Sequence, residues 1–268
     1  MYEDHFEANR RLWDTKAPIH HQSSFYDLDG FRRTKDSLNA IERDGLGDVR
    51  GKSLLHLQCH FGQDTLSWAH RGAEVTGVDF SGEGIRLARQ LSAELDIPAT
   101  FVEANVLELD RQLEGSFDIV FTSYGTTCWL PDLARWAEVI DHFLAPGGTF
   151  YIADFHPMLQ MFDHGSQTLA YEYFGRAEPN FEQTQGSYAA PEADIRLAEY
   201  FWQHSLSEIL TPLLARGLEL LEFKEFPSSP YDAFPNTRRL ADGSYRFGDQ
   251  TVDIPHVFSL KMRKRASK

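Results

Sequence analysis

Short apolar runs alternate with stretches of helical period along this chain, most regularly between residues 51 and 153. Ser53 to Cys59 is an apolar run that breaks at Gly62, and a helix-like segment follows to His70, where Arg71-Gly72 stops it. A second apolar run, Ala73 to Val78, ends on Asp79. Strand, tight turn, helix and strand make one βαβ unit with a carboxylate at the tip of its second strand. Ser81 then opens a helix over Gly82 to Leu95, with Ile85, Leu87, Ala88, Leu91 and Leu95 as its apolar face. Ala99 to Glu103 is a short strand, and Phe117 to Ser123 reads as a buried parallel strand because its apolar run is nearly continuous. Asp132 opens a helix to Leu144, the Ala145-Pro146-Gly147-Gly148 turn closes it, and Thr149 to Ala153 forms a fifth strand.

Outside this block the pattern changes. Tyr2 to Trp13 and Phe31 to Asp44 read as two helices, joined by a segment rich in His and aromatic residues. Residues 154–204 carry many aromatics, and the alternation in AYEYF and EYFWQHS predicts antiparallel strands. A stretch that long and that apolar reads as a cap over a site rather than a bare loop. A helix from Ser205 or Ser207 to Arg216, a strand over Leu218 to Phe226 and a last antiparallel strand over Val252 to Met262 complete the reading. The expectation is a single domain over residues 1–268, with an N-terminal helical lid at 1–46 and a cap insertion at 155–204.

Five strands with intervening helices imply right-handed crossovers and an open parallel sheet, with a ligand at the carboxyl ends of the strands where their order reverses. The residues that follow each strand are therefore the candidates for the site. Among them, a carboxylate about 20 residues beyond the first turn suits the hydroxyls of a nucleotide-type ribose, so Asp79 points to an adenosine-containing cofactor.

Composition narrows the partners. At 268 residues with 42% hydrophobic content, the chain can bury a sizeable core, and a net charge of −14 repels phosphate backbones. Nucleic acid is thus a poor candidate ligand. The exception is the basic tail Lys261 to Lys268, which reads as a solvated, frayed terminus. No apolar run approaches the roughly 20 residues of a membrane span, and the acidic start lacks the apolar stretch of a signal peptide. Two cysteines, Cys59 and Cys128, are too few for a disulfide framework, so a cytoplasmic location is the expectation. No spacing among the 11 histidines matches a zinc site.

The pieces LLHLQCHFG, VTGVDFSGEGIRLAR, FVEANVLEL, FDIVFTSYGTTCWLPDL and LAPGGTFYIADFHP, in this order and spacing, resemble the class I S-adenosylmethionine (SAM)-dependent methyltransferases from about Gly51 to Ala153. The resemblance continues through Ser205 to Phe226 and the final strand. It implies a Rossmann-like, doubly wound α/β fold with a seven-stranded sheet of order 3-2-1-4-5-7-6 and strand 7 antiparallel. It also implies S-adenosyl-L-methionine as cofactor and methyl transfer to a small-molecule acceptor.

By that resemblance Asp79 accepts from both ribose hydroxyls, Phe80 packs on the adenine, Asn105 meets its amino group and Val106 flanks the ring. Ser123 and Tyr124 follow the methionine part. The first motif departs from the family: His56 stands at its acidic position, and Gln58 and His60 stand at two of its three glycines, with Gly62 kept. Gln58, Cys59, His60 and Gly62 are still the candidate cofactor loop, and Gln58 could reach the methionine carboxylate or ammonium.

Methyl transfer from a sulfonium needs in-line alignment and exclusion of water, and an oxygen acceptor also needs a base. His156, just after strand five, is the leading candidate base, set against a role in anchoring the cap. Tyr124, and more weakly His20, His21 and Tyr26, are candidates for positioning the acceptor. Two other functions compete. A catalytically silent SAM-binding protein shares the fold, whereas a nicotinamide-dependent oxidoreductase calls for a G-x-G-x-x-G turn that QCHFGQ does not supply.

Overall fold

The structure, a computed structural model, describes residues 2–248 and 252–266. Helix α1 (Glu3–Gln22) runs well past the Trp13 end read from the sequence and continues through Pro18. Proline costs an interior helical hydrogen bond, but the helix buries Asn9, Leu12, Lys16, Ala17 and His20 along one side, and that tertiary contact decides its length. The single helix expected over Phe31 to Asp44 is instead two, α2 (Leu28–Thr34) and α3 (Ala40–Leu46). They part at Lys35, which adopts φ 56°, and α3 restarts with a capping box between Asn39 and Glu42.

The central rhythm follows as β1 (Ser53–Leu57), α4 (Gln63–His70), β2 (Glu74–Asp79), α5 (Gly82–Leu95), β3 (Thr100–Glu103), β4 (Phe117–Ser123), α6 (Leu133–Phe143) and β5 (Leu144–Phe155). The caps read from the sequence are in place: Ser81 accepts from Gly84 N at 3.0 Å, and Asp132 from Arg135 N at 2.9 Å. β5 is longer than expected at both ends, because Phe117 already pairs with Leu144, ahead of the Pro-Gly-Gly turn.

Two short hairpins, β6 (Phe162–Asp163) with β7 (Thr168–Leu169) and β8 (Asn180–Gln185) with β9 (Arg196–Phe201), fill the insertion. Of the two alternating segments, EYFWQHS overlaps β9, whereas AYEYF follows β7 as bends and joins no sheet. α7 (Leu206–Ala215) starts at a Ser205–Glu208 capping box, and β10 (Glu219–Phe226) follows it. A further hairpin, β11 (Thr237–Arg239) with β12 (Tyr245–Phe247), has no counterpart in the sequence reading. β13 (Val257–Arg263) ends the fold.

The main sheet has seven strands in the order β10-β13-β5-β4-β1-β2-β3, with β13 antiparallel to both neighbours. The expected strand order and the reversed strand are both present. Consecutive residues feed opposite cores: Leu54, Ile119 and Tyr151 pack toward α3 and α4, while Leu55, Val120 and Ile152 pack toward α6 and α7. A sheet covered on both faces explains the near-continuous apolar runs.

The basic tail begins as structure rather than as a frayed end. Lys261 Nζ donates to the Gly45 carbonyl at 2.8 Å, Arg263 pairs with Glu219, and Lys264 pairs with Asp141. Its last two residues lie outside the described residues. Among the described residues no helix is long and apolar enough to cross a membrane, and Cys59 and Cys128 are both free.

Helix α1 joins the two ends of the fold. It packs on α5, and its buried Asn9 closes two hydrogen bonds with the backbone of Tyr200 in β9, at 2.7 and 2.9 Å. Asn9→Ala leaves both Tyr200 groups to find water. It is expected to destabilise the protein by roughly 2 kcal/mol and to raise amide exchange in β8–β9 more than in β1–β4, as read by hydrogen–deuterium exchange mass spectrometry.

Candidate active site

The carboxyl ends of β1, β2 and β4 form the floor of a cavity of about 1440 Å³. Its far walls come from α1 and α2 (Trp13, Lys16, Tyr26), from the β8–β9 insertion (Thr184, Ser187, Tyr188, Glu199) and from the segment after β10 (Tyr231, Phe234). That volume exceeds the several hundred Å³ of an ordinary small-ligand pocket. It can hold two molecules side by side.

The loop after β1 keeps the backbone of a glycine-rich turn without most of the glycines. Gln58, His60 and Gly62 all adopt left-handed angles, φ 56°, 52° and 79°. For Gln58 and His60 such angles cost about 1 kcal/mol each, so neighbours must hold them. Gln58 Nε2 donates to the Thr126 carbonyl at 2.9 Å, and His60 N donates to Asp79 Oδ2 at 2.8 Å. At Gly62 space decides as well: a Cβ there would meet the Phe101 ring at 2.8 Å. Cys59 is buried between these residues.

Asp79 accepts from His60 N through one oxygen and from Ser81 N, at 2.9 Å, through the other. Burial pushes its carboxyl up to about 6, against the pull of these two N–H groups. Each oxygen keeps a lone pair for a further donor. Phe80, beside it, also lines the cavity.

Asn105 and Val106 do not join this group. The Asn105 carbonyl oxygen accepts from Leu107 N at 3.0 Å, capping a short turn, and Val106 is buried in the core; neither lines the cavity. His156, the candidate base, stands apart from these residues. Its Nε2 bonds Glu225 at 2.9 Å, its Nδ1 accepts from Met158 N at 3.0 Å, and it stands outside the cavity lining. The anchoring role is the one its geometry fits.

Tyr124 lines the cavity, but its hydroxyl donates to Glu42 at 2.8 Å, and burial pushes the phenol well above its ordinary range. The phenol therefore keeps its proton and spends it on Glu42. Ser123 Oγ donates to Asp64 at 3.3 Å. Tyr26 reaches the cavity and shares a hydrogen bond with Tyr188, whereas His21 packs edge-on against Phe61. His20 lies behind the wall, bonded to His60 at 3.1 Å and to Ser187. Burial drives both imidazoles down, His20 to about 2 and His60 to about 3, so both are neutral at ordinary pH.

Of two further acids, Asp154 falls among the strand-following candidates of the sequence, whereas Glu42 does not. Asp154, buried at the end of β5, accepts from the backbone N–H of Gly125, Thr126 and Thr127 and from both threonine hydroxyls, and so shapes the loop after β4. Its place just after a strand was the available signal. Glu42, fully buried, accepts from Asn39 and Tyr124, and burial next to Asp64 pushes its carboxyl up to about 7. Nothing in the local pattern marks a helix-capping glutamate as the partner of Tyr124 in the cavity wall.

The sheet order and crossover site define a Rossmann-like α/β protein of the methyltransferase type. Residues 55–150 match the family model described as a methyltransferase domain. Over that stretch the chain is similar to methyltransferases. A ubiquinone biosynthesis O-methyltransferase from Alkalilimnicola ehrlichii is 29% identical over 130 residues, 47% of this chain and 52% of the relative. The chain thus spans about half the length of the curated relatives it matches. Among solved structures, the DhpI–SAH complex aligns over 100% of both chains with a TM-score of 0.59 at 18% identity. An S-adenosylmethionine-dependent methyltransferase from Mesorhizobium loti aligns over 82% of this chain and 94% of its own with a TM-score of 0.53 at 21% identity. At such identities these structures speak for the fold alone.

Glu42 supplies a pH test. The unfolded side chain releases its proton near 4.5 and the folded one near 7. Its contribution to stability is therefore full below about pH 4.5 and declines as pH rises through 7. Glu42→Gln removes that decline. Urea denaturation is expected to show the variant gaining on the wild type by on the order of 2 kcal/mol between pH 5 and pH 8.

Proposed function

We propose that this protein transfers a methyl group from S-adenosyl-L-methionine to a small-molecule acceptor enclosed in the cavity. The observation that carries the reading is the β1 loop, left-handed at residues 58, 60 and 62, folded onto the buried carboxylate of Asp79 beside a large cavity. The residues present fit an adenosine group. Asp79 has lone pairs left for two ribose hydroxyls, and Phe80 offers a ring beside it. The buried Gln58 Oε1, without a protein partner, can accept from a polar ligand atom. A ubiquinone O-methyltransferase among the relatives supports a small-molecule acceptor, as does the chain's charge of −14, which disfavours nucleic acid.

The bound cofactor supplies an electrophilic methyl on a sulfonium. The chain's part is to align an acceptor lone pair in line with that bond and to keep water out, which supplies much of the rate through proximity. Residues 1–46 act as a lid and 155–204 as a cap, with the 227–248 segment as a third wall. With His156 turned away and Tyr124 committed to Glu42, the acceptor arrives with its lone pair free. The protein acts in the cytoplasm.

Calorimetry with SAM, followed by mass-spectrometric detection of S-adenosylhomocysteine across a metabolite panel, tests the reading; a wild-type protein that binds no SAM ends it. Asp79→Asn is expected to weaken SAM binding by about 1–3 kcal/mol. Wild-type affinity is also expected to fall as pH drops below about 6, where Asp79 takes up a proton and loses one acceptor oxygen.

A further inference from the structure

The family's usual acid at the end of the first strand is His56 here, so a cofactor's methionine ammonium lacks its ordinary partner. Resting on the cofactor reading above, we propose that Asp64, with Gln58 and His56, holds the zwitterionic amino-acid end of the bound cofactor.

Asp64 stands in the first turn of α4, two residues after Gly62, and lines the cavity. Ser37 Oγ donates to its carboxylate at 2.6 Å and Ser123 Oγ at 3.3 Å. The nearby Asp36 has Arg71 at 2.5 Å, but among the described residues neither Asp64 nor its neighbour Glu42 enters an ion pair. A half-buried carboxylate in the cavity wall, with hydroxyl donors and no cation, is matched by a cation arriving from the cavity. A first-turn acid is also favoured by the helix dipole, and that alone would explain Asp64.

It would not explain the end of β1. His56 is 2% exposed in the cavity wall; its Nδ1 bonds Thr65 Oγ1 at 2.8 Å, and its Nε2 has no protein partner. Gln58 spends its Nε2 on Thr126, which leaves its buried Oε1 unmatched. Two unmatched buried polar atoms at i and i+2 of one strand end are rare without a ligand to meet them.

Topology places these groups at the amino-acid end. The strand order here is β2-β1-β4. A ligand fixed by its ribose at Asp79 on β2 runs across the tip of β1, past Gln58 and His56, toward Ser123 at the tip of β4, where Asp64 is bonded. The ammonium then donates to Asp64 and to Gln58 Oε1. His56 Nε2 serves in either tautomer, donating to the cofactor carboxylate when it carries the proton and accepting from the ammonium when it does not.

Two ligands separate this from the cofactor reading: S-adenosylhomocysteine, and 5′-deoxy-5′-methylthioadenosine, which keeps the adenosine and the thioether but has no amino-acid part. By calorimetry, Asp64→Asn is expected to weaken S-adenosylhomocysteine about 10- to 100-fold, the scale of a lost hydrogen bond to a charge, and to leave methylthioadenosine unchanged. Gln58→Met is expected to act in the same sense by about 3- to 10-fold, and it decides the matter should Asp64→Asn not fold by circular dichroism. An equal loss for both ligands would mean that Asp64 only shapes the loop, and no loss for either would mean that it faces the acceptor; each overturns the proposal. A wild type that binds neither ligand overturns the cofactor reading itself. A wild type that binds both alike overturns the clamp alone.

Discussion

Most of the site depends on the Asp79 carboxylate. A buried acid is costly unless its oxygens are met, and here the N–H groups of His60 and Ser81 meet them. The first fixes the loop after β1, including a left-handed His60 that would otherwise relax; the second fixes the start of α5, whose cap is Ser81 itself. One side chain thus sets the relative position of two loops that a cofactor must touch together. The same burial that makes the contact firm also lifts the acid's pKa, so the group that orders the site is also poised to titrate.

Asp154 repeats the device one strand further along. It gathers three successive backbone N–H groups and two hydroxyls of the loop after β4. That loop supplies the Thr126 carbonyl that Gln58 needs. Strand-end carboxylates, rather than glycines, therefore give this floor its shape, which is how a turn can tolerate Gln and His where small residues are usual.

The walls depend on contacts between segments remote in sequence. Asn9 with Tyr200, and Lys16 with Glu199 at 3.1 Å, bind the first helix to the insertion. Lys16 is nearly buried, and a buried ion pair adds little net stability but is costly to leave half-made. It favours one docking of the hairpin over others.

Much of the fold was legible in the sequence. The parallel strands betray themselves by apolar runs, because both faces of the sheet are covered, and the helices by Ser81, Asp132 and Ser205, because an unpaired N-terminal N–H needs an oxygen. Asp79 and Gly62 were legible for the same reason: a strand-tip acid and a left-handed turn are local requirements. What local chemistry could not decide was set by contacts across the chain. The length of α1 follows from its buried side against α5 and β9, the break at Lys35 from the docking of α3, and the isolation of His156 from Glu225 on a strand about 70 residues away. The partners of Asp64, Glu42 and Asp154 are likewise brought together only by the tertiary structure, since a side chain's hydrogen bonds depend on which segments the fold sets beside it.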